Sequence, residues 1–341
     1  MGLSDKAILA KARAMYGHHL DGADYNQLLE RRSIADVVAY LRSDTDYAKV
    51  FEGIREDIHR GRLEAILNEE SFSRVSRMIR YAPKREQSFY SLGITKNEIE
   101  IILHRIRSLM NNRLDDFHLS FPGYLKKYAS FPIERLLEVR SLEDLYHLLE
   151  KTRYQSVLKT VCMQKSFNMN TLELELKRAF YDTYIETINH LYKGKQRAEL
   201  LTMIETQLEL ENITKIYRLK KYFQTNDQDI KSVLLLDHSR MSKKMINDLI
   251  SSKDADELLV KLANSPYKLY VDDNEYVYIE YYTQKIVYNL ARRHMRFSSQ
   301  SPLVYMTYVF IHAMETENLK HIIEGLRYGE SPDEIRKLLI Y

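Results

Sequence analysis

A chain of 341 residues with 45% hydrophobic and 29% charged side chains can bury a large core, and this composition describes a soluble globular protein, not a disordered one. Its 51 basic and 48 acidic residues leave a formal charge of +3, too small to make nucleic acid the main partner, and its one cysteine, Cys162, excludes an internal disulfide or a cysteine metal cluster. Ten glycines and six prolines are few helix breakers for this length, so the economical architecture is all-α.

From the N-terminus, Ile8, Ala12, Met15 and Tyr16 give one apolar face to a helix predicted over residues 6–20, ending near Gly17. Met1-Gly2 begins like a myristoylation signal, but Lys6 stands where Ser or Thr is required, and the order of a signal peptide is missing. With no apolar run of about 18 residues, neither a membrane span nor export is expected, and any membrane association should come through a protein partner. The turn Asp21-Gly22-Ala23-Asp24 follows, with Asp24 as the expected cap of a helix carrying Tyr25, Leu28 and Leu29.

The stretch from Leu28 to Tyr47 then sets the plan of the chain. Ser33 caps a short helix, Asp36 takes the capping-box position, and Ile34, Val37, Val38 and Leu41 form its buried stripe before Tyr47 closes it. The pattern returns from Leu136, with Ser141, Asp144, the stripe Leu142, Leu145, Tyr146 and Leu149, and Tyr154. It returns again from Leu249, with Asp254, Glu257, the stripe Ala255, Leu258, Leu259 and Leu262, and Tyr267. The closing tyrosine lies 19, 18 and 18 residues past the first leucine, so the chain reads as a triplication with repeat starts 108 and 113 residues apart. Expected domain limits are 1–120, 121–232 and 233–341.

After Tyr47 a charged stretch with helical spacing runs to Arg85 and ends in the basic run Arg74, Arg77, Arg80, Lys84 and Arg85, read either as a solvated helix face or as a docking patch for an acidic partner. Thr95 and Glu98 form a predicted capping pair ahead of the stripe Ile99, Ile102, Leu103 and Ile106. This element also recurs: Ile99, Ile213 and Leu319 open stripes 71, 77 and 70 residues from their repeat starts. Between these markers, Leu172, Leu176, Ala179, Phe180, Tyr184 and Ile188 mark a further helix, and Tyr276, Tyr278, Tyr281, Tyr282 and Tyr288 its tyrosine-rich counterpart. With 26 tyrosines and no tryptophan, buried amphipathic packing falls to Tyr, whose hydroxyl needs a partner. Phe121-Pro122-Gly123 and Phe131-Pro132 bracket the first boundary. At the C-terminus, Gly329 ends one helix, and Ser331 and Pro332 open another that Ile335, Leu338 and Leu339 bury.

No catalytic constellation stands out: the chain lacks a phosphate-binding glycine loop, an H-E-x-x-H pair and a nucleophile elbow. His18-His19 is the only adjacent histidine pair, and neighbours on a helix point apart, so no metal site and no cofactor are expected. Asp272-Asp273 next to Asn274 reads as a turn. Arg292, Arg293 and Arg296, with His294, form a second basic cluster, read as a solvated face or as an electrostatic contact with an acidic shaft or lipid headgroups. An α-helical adapter and an enzyme with an undeclared site stay open as alternatives on the residues alone.

Two stretches carry a resemblance. Ala12, Arg13, Ala14, Met15, Gly17, Asp24, Tyr25, Leu28, Leu29, Tyr40, Leu41, Thr45 and Tyr47 near the start, and Glu315, Glu317, Asn318, Ile322, Gly329, Ile335 and Leu338 near the end, resemble the C-subunit family of V/A-type rotary ATPases, whose members in eukaryotic vacuolar enzymes are called d. One departure is His18-His19, where relatives often carry leucines. The resemblance implies a funnel of three similar helical domains with pseudo-threefold symmetry, without an active site, on the cytoplasmic face of the membrane. It implies as partners the membrane rotor ring of proteolipid subunits and the central shaft subunits D and F. It implies too that the membrane is touched through the ring only, with torque passed so that ATP hydrolysis or synthesis is tied to proton or sodium transport.

Overall fold

Local side-chain capping sets the corners that the repeat predicts. Ser33 Oγ accepts the Asp36 N–H at 3.1 Å, Ser141 Oγ the Asp144 N–H at 3.0 Å, and Asp254 the Glu257 N–H at 2.9 Å, so each corner helix starts at its predicted cap. These helices span Ile34–Asp44, Leu142–Leu148 and Ala255–Ala263. The computed structural model describes residues 2–54, 58, 60–111, 126, 129–162, 168–265, 267 and 279–341, and among them every regular element is helical. The readings of Phe121-Pro122-Gly123, Asp272-Asp273-Asn274, Tyr276 and Tyr278, and of the Cys162 side chain, fall outside the described residues.

The chain divides into two compact units. One comprises 1–83, 202–230 and 238–341; the other comprises 84–201 and 231–237. At the centre of the first lies the long helix Ser301–Tyr328, with Ile279–Phe297, Leu3–Tyr16, Arg60–Ile79 and Ile34–Asp44 packed against it. Its apolar face carries Leu319, Ile322 and Ile323 into one core with Tyr25, Leu28, Val37, Val38 and Leu41 from the first repeat and with Ile335 and Leu339 from the C-terminal segment. The stripe of the first repeat is therefore buried by the last repeat's helix, which places the two ends of the sequence in one hydrophobic cluster. In the second unit, Leu92–Met110 and Met169–Leu191 pack together, and Gln155–Cys162 and Leu142–Leu148 join them.

Some expected boundaries move for physical reasons. The opening helix runs Leu3–Tyr16, with Gly17 as its C-terminal cap. Asp21, not Asp24, caps the next helix, because its carboxylate reaches the N–H groups of both Ala23 and Asp24, while Asp24 returns a bond to the Asp21 N–H. Thr95 does not cap either: the helix starts at Leu92, and both Thr95 and Glu98 are buried inside it. The basic run is not one solvated face, since Arg74 is buried.

Close packing fixes the C-terminal turn. Gly329 takes the left-handed conformation at φ 72°, which lets the Glu330 N–H close on the Gly325 carbonyl at 3.0 Å. A Cβ added at Gly325 would lie 2.4 Å from Ile335 Cγ1 and 2.6 Å from Cδ1. Gly325→Ala is therefore expected to cost about 1–3 kcal/mol by overpacking. A urea midpoint equal to the wild type's would show that Ile335 moves aside freely.

Candidate functional site

Each closing tyrosine ends in the same backbone turn. The hydroxyl two residues before it bonds back to the corner helix, Thr45 to the Leu41 carbonyl at 2.6 Å, Thr152 to Leu149 at 2.7 Å and Ser265 to Leu262 at 2.6 Å. The same three oxygens accept the N–H of Tyr47, Tyr154 and Tyr267 at 3.2, 3.3 and 3.2 Å. This turn aims the phenol inward, where it meets a buried carboxylate.

The carboxylates are Glu315, Glu98 and Glu209, exposed by only 3%, 1% and 1%. Tyr47 donates to Glu315 Oε1 at 2.7 Å, and the Leu20 N–H donates to Oε2 at 2.8 Å. Tyr154 donates to Glu98 Oε2, and the Ser130 N–H donates to Oε1. Tyr267 donates to Glu209 Oε2, while the N–H groups of Arg240 and of Met241, the latter at 2.8 Å, donate to Oε1. One side chain thus holds both ends of a corner: the backbone entering it and the tyrosine closing it. Burial first, and the neighbouring carboxylate with it, push all three phenols well above the ordinary tyrosine range, which keeps them protonated as donors.

The connectivity is cyclic. Glu98, on the first repeat's long helix, clasps the second corner, 56 residues from Tyr154; Glu209 in the second repeat clasps the third, 58 residues from Tyr267. Glu315, in the third, clasps the first, 268 residues from Tyr47. The clasps differ one turn back from the glutamate. Thr95 and Thr206 occupy that position in two of them, and Thr206 Oγ accepts from Arg240 Nη2 at 2.6 Å. The third has His312, buried, with Nδ1 3.3 Å from Glu315 Oε1. Arg74 completes this clasp by stacking 4.4 Å over the Tyr47 ring while its Nε bonds Glu70 at 2.9 Å.

Sequence reasoning followed the tyrosines and missed their partners. The signal was present in the recurring pairs Glu98-x-Glu100, Glu209-x-Glu211 and Glu315-x-Glu317. Aligned on these glutamates, the first copy of the long-helix stripe shifts by one turn, so that Ile102, not Ile99, matches Ile213 and Leu319.

The predicted basic residues sit at helix C-terminal ends, where cations complement the carbonyl dipole. Arg292, Arg293 and Arg296 occupy the last turns of Ile279–Phe297; Arg292 is half-buried 5.7 Å over the Tyr288 ring, and Arg293 and Arg296 are exposed beside Phe297, itself 83% exposed. At the end of Arg60–Ile79, Arg77 pairs with Glu70 at 2.7 Å, and Arg80 is exposed just beyond the helix. His19 stacks on Tyr16, with ring centroids 4.4 Å apart. Among the described residues no group of three or more His, Cys, Asp or Glu is placed to hold a metal ion, and no helix is long and apolar enough to cross a membrane.

The family model of the ATP synthase (C/AC39) subunit matches residues 8–338. Among curated relatives, the C subunit of the A-type ATP synthase of Methanosphaera stadtmanae is 24% identical, with 97% of this chain and 86% of the relative covered. That of Methanobrevibacter smithii is 23% identical over the same shares, and that of Methanocaldococcus jannaschii is 24% identical over 98% of this chain and 85% of the relative.

Proposed function

Because the chain belongs to the ATP synthase (C/AC39) subunit family, we propose that it acts in the central stalk of a V/A-type rotary ATPase as the non-catalytic part that joins the rotating shaft to the membrane rotor ring. As a member of that family it is one component of an ATP synthase complex. In this reading residues 1–120, 121–232 and 233–341 are three similar helical domains about a pseudo-threefold axis. They form a funnel that takes the foot of the shaft, subunits D and F, and stands on the cytoplasmic face of the proteolipid ring. Torque passed through it links ATP hydrolysis or synthesis to proton or sodium transport, and the membrane is met through the ring alone.

The observation that carries the reading is the threefold recurrence of one buried clasp. A part that transmits torque has to resist shear between its elements, and a charge-assisted bond network inside a close-packed helical core resists it at three places. Arg292, Arg293, Arg296, Arg77 and Arg80 are the cationic contacts offered to the neighbouring subunits.

Purification from membranes tests the reading. The tagged chain is expected to bring down ring and shaft subunits, and the triple variant R292E/R293E/R296E to bring down less of them, with the deficit largest at low salt, where screening is weakest. Recovery of the wild-type chain without ring or shaft would overturn the rotary role. Recovery by the variant that matches the wild type's at both low and high salt would remove the three arginines from the interface.

A further inference from the structure

The three clasps are chemically alike but topologically unequal. Glu98 and Glu209 hold corners that follow them within 58 residues of chain, so a broken bond leaves the corner tethered nearby. Glu315 holds a corner 268 residues away, and only non-covalent contacts bring it there. Closing so long a loop costs more chain entropy than closing the short ones, and the cost has to be met by contacts at the joint. The joint has such contacts. Asn318, one turn beyond Glu315, donates through Nδ2 to the Ile340 carbonyl at 2.7 Å and accepts the Ile340 N–H at 2.9 Å. Tyr341 stacks on Tyr25 with ring centroids 4.6 Å apart, and Arg336 bonds Asn26 at 2.6 Å. The C-terminal segment is thereby strapped across the helix Gly22–Leu29, beside the clasp.

We propose that Glu315 is a positioning residue that closes the three repeats into a cycle, holding the first corner on the last long helix, and that this one clasp governs coupling. The functional half rests on the rotary reading above. With the Glu315 clasp broken the two sequential clasps still hold their corners, but the first corner is joined to the last long helix by apolar packing and the C-terminal strap alone, and torque passes between them less stiffly. His312 belongs to the same device: its Nδ1 lies 3.3 Å from Glu315, at the position one turn back where the sequential joints carry Thr95 and Thr206.

The test uses the full chain with E98Q, E209Q and E315Q made singly, read in two ways. Amide hydrogen exchange on the isolated chain is expected to rise about tenfold or more at Leu20 and through the first corner and the C-terminal segment in E315Q, with the other corners unchanged. In E98Q and E209Q the rise stays at Ser130 and at Met241. Exchange that rises evenly along the chain in E315Q means general destabilisation and overturns the closure. In the reconstituted complex, E315Q is expected to lower ions moved per ATP hydrolysed while hydrolysis continues, with both sequential variants near wild type. Equal loss in all three, or loss in none, overturns the special place of Glu315. A wild-type chain that fails to restore coupling at all removes the rotary reading instead, and the exchange result still decides the clasp.

Discussion

Glu315→Ala is expected to be among the most damaging single substitutions in the first unit, costing about 3–5 kcal/mol. The carboxylate is buried and takes three contacts, from Tyr47, the Leu20 N–H and His312. Removing it leaves a phenol, a backbone donor and an imidazole together without their acceptor, and each buried orphan carries its own desolvation penalty of about 1–3 kcal/mol. Tyr47→Phe removes one donor and leaves the acceptor two others, so it should cost only about 1–2 kcal/mol. Urea denaturation of both variants at pH 7 supplies the comparison. If E315A costs no more than Y47F, the carboxylate is not the hub of the clasp. Because Tyr47 and Glu315 share one bond, the double variant should fall well short of the sum of the singles.

The corner helices and stripes were legible in the sequence because their causes are local. A cap reaches three residues and a stripe repeats within two turns, so Ser33, Ser141 and Asp254 announced themselves. The clasps were not, since a carboxylate and a phenol 56 or 268 residues apart leave no periodic trace in either segment. The amphipathic reading of tyrosine correctly demanded partners for buried hydroxyls without saying which. Glu98 was misread because Thr95-x-x-Glu98 satisfies the capping rule on paper, while Leu92 and Ile94 extend the helix upstream and carry the pair inside. Arg74 was misread for a related reason. Arginine in a charged run suggests solvent, yet Glu70 one turn away and the Tyr47 ring offer it a neutralised place in the interior. The basic helix ends kept both of their sequence readings, because exposure at Arg293 and Arg296 suits a solvated face and a contact alike.

Acid should open the Glu315 clasp, and His312 should set where. Burial by itself would raise this carboxyl, but the His312 bond and charge, the Tyr47 hydroxyl and the Leu20 N–H outweigh it and hold the group at about 2, below its ordinary 4.5. A pKa lower in the folded than in the unfolded chain means that the unfolded chain takes up the proton first as pH falls. The clasp's contribution is therefore complete above about 4.5 and is lost as pH drops towards 2, a change on the order of 3 kcal/mol. In His312→Phe the ring can still lie against Tyr308, 5.6 Å away in the native chain, but the donor to Glu315 is gone. The folded carboxyl then moves back towards 4.5, and the fall of stability with acid between these values flattens. Denaturant titrations at half-unit steps through this range, on wild type and H312F, measure the two slopes. Parallel slopes would mean that Tyr47 and Leu20 alone hold the charge; a flatter H312F slope assigns to one histidine the acid resistance of the joint between the ends of the chain.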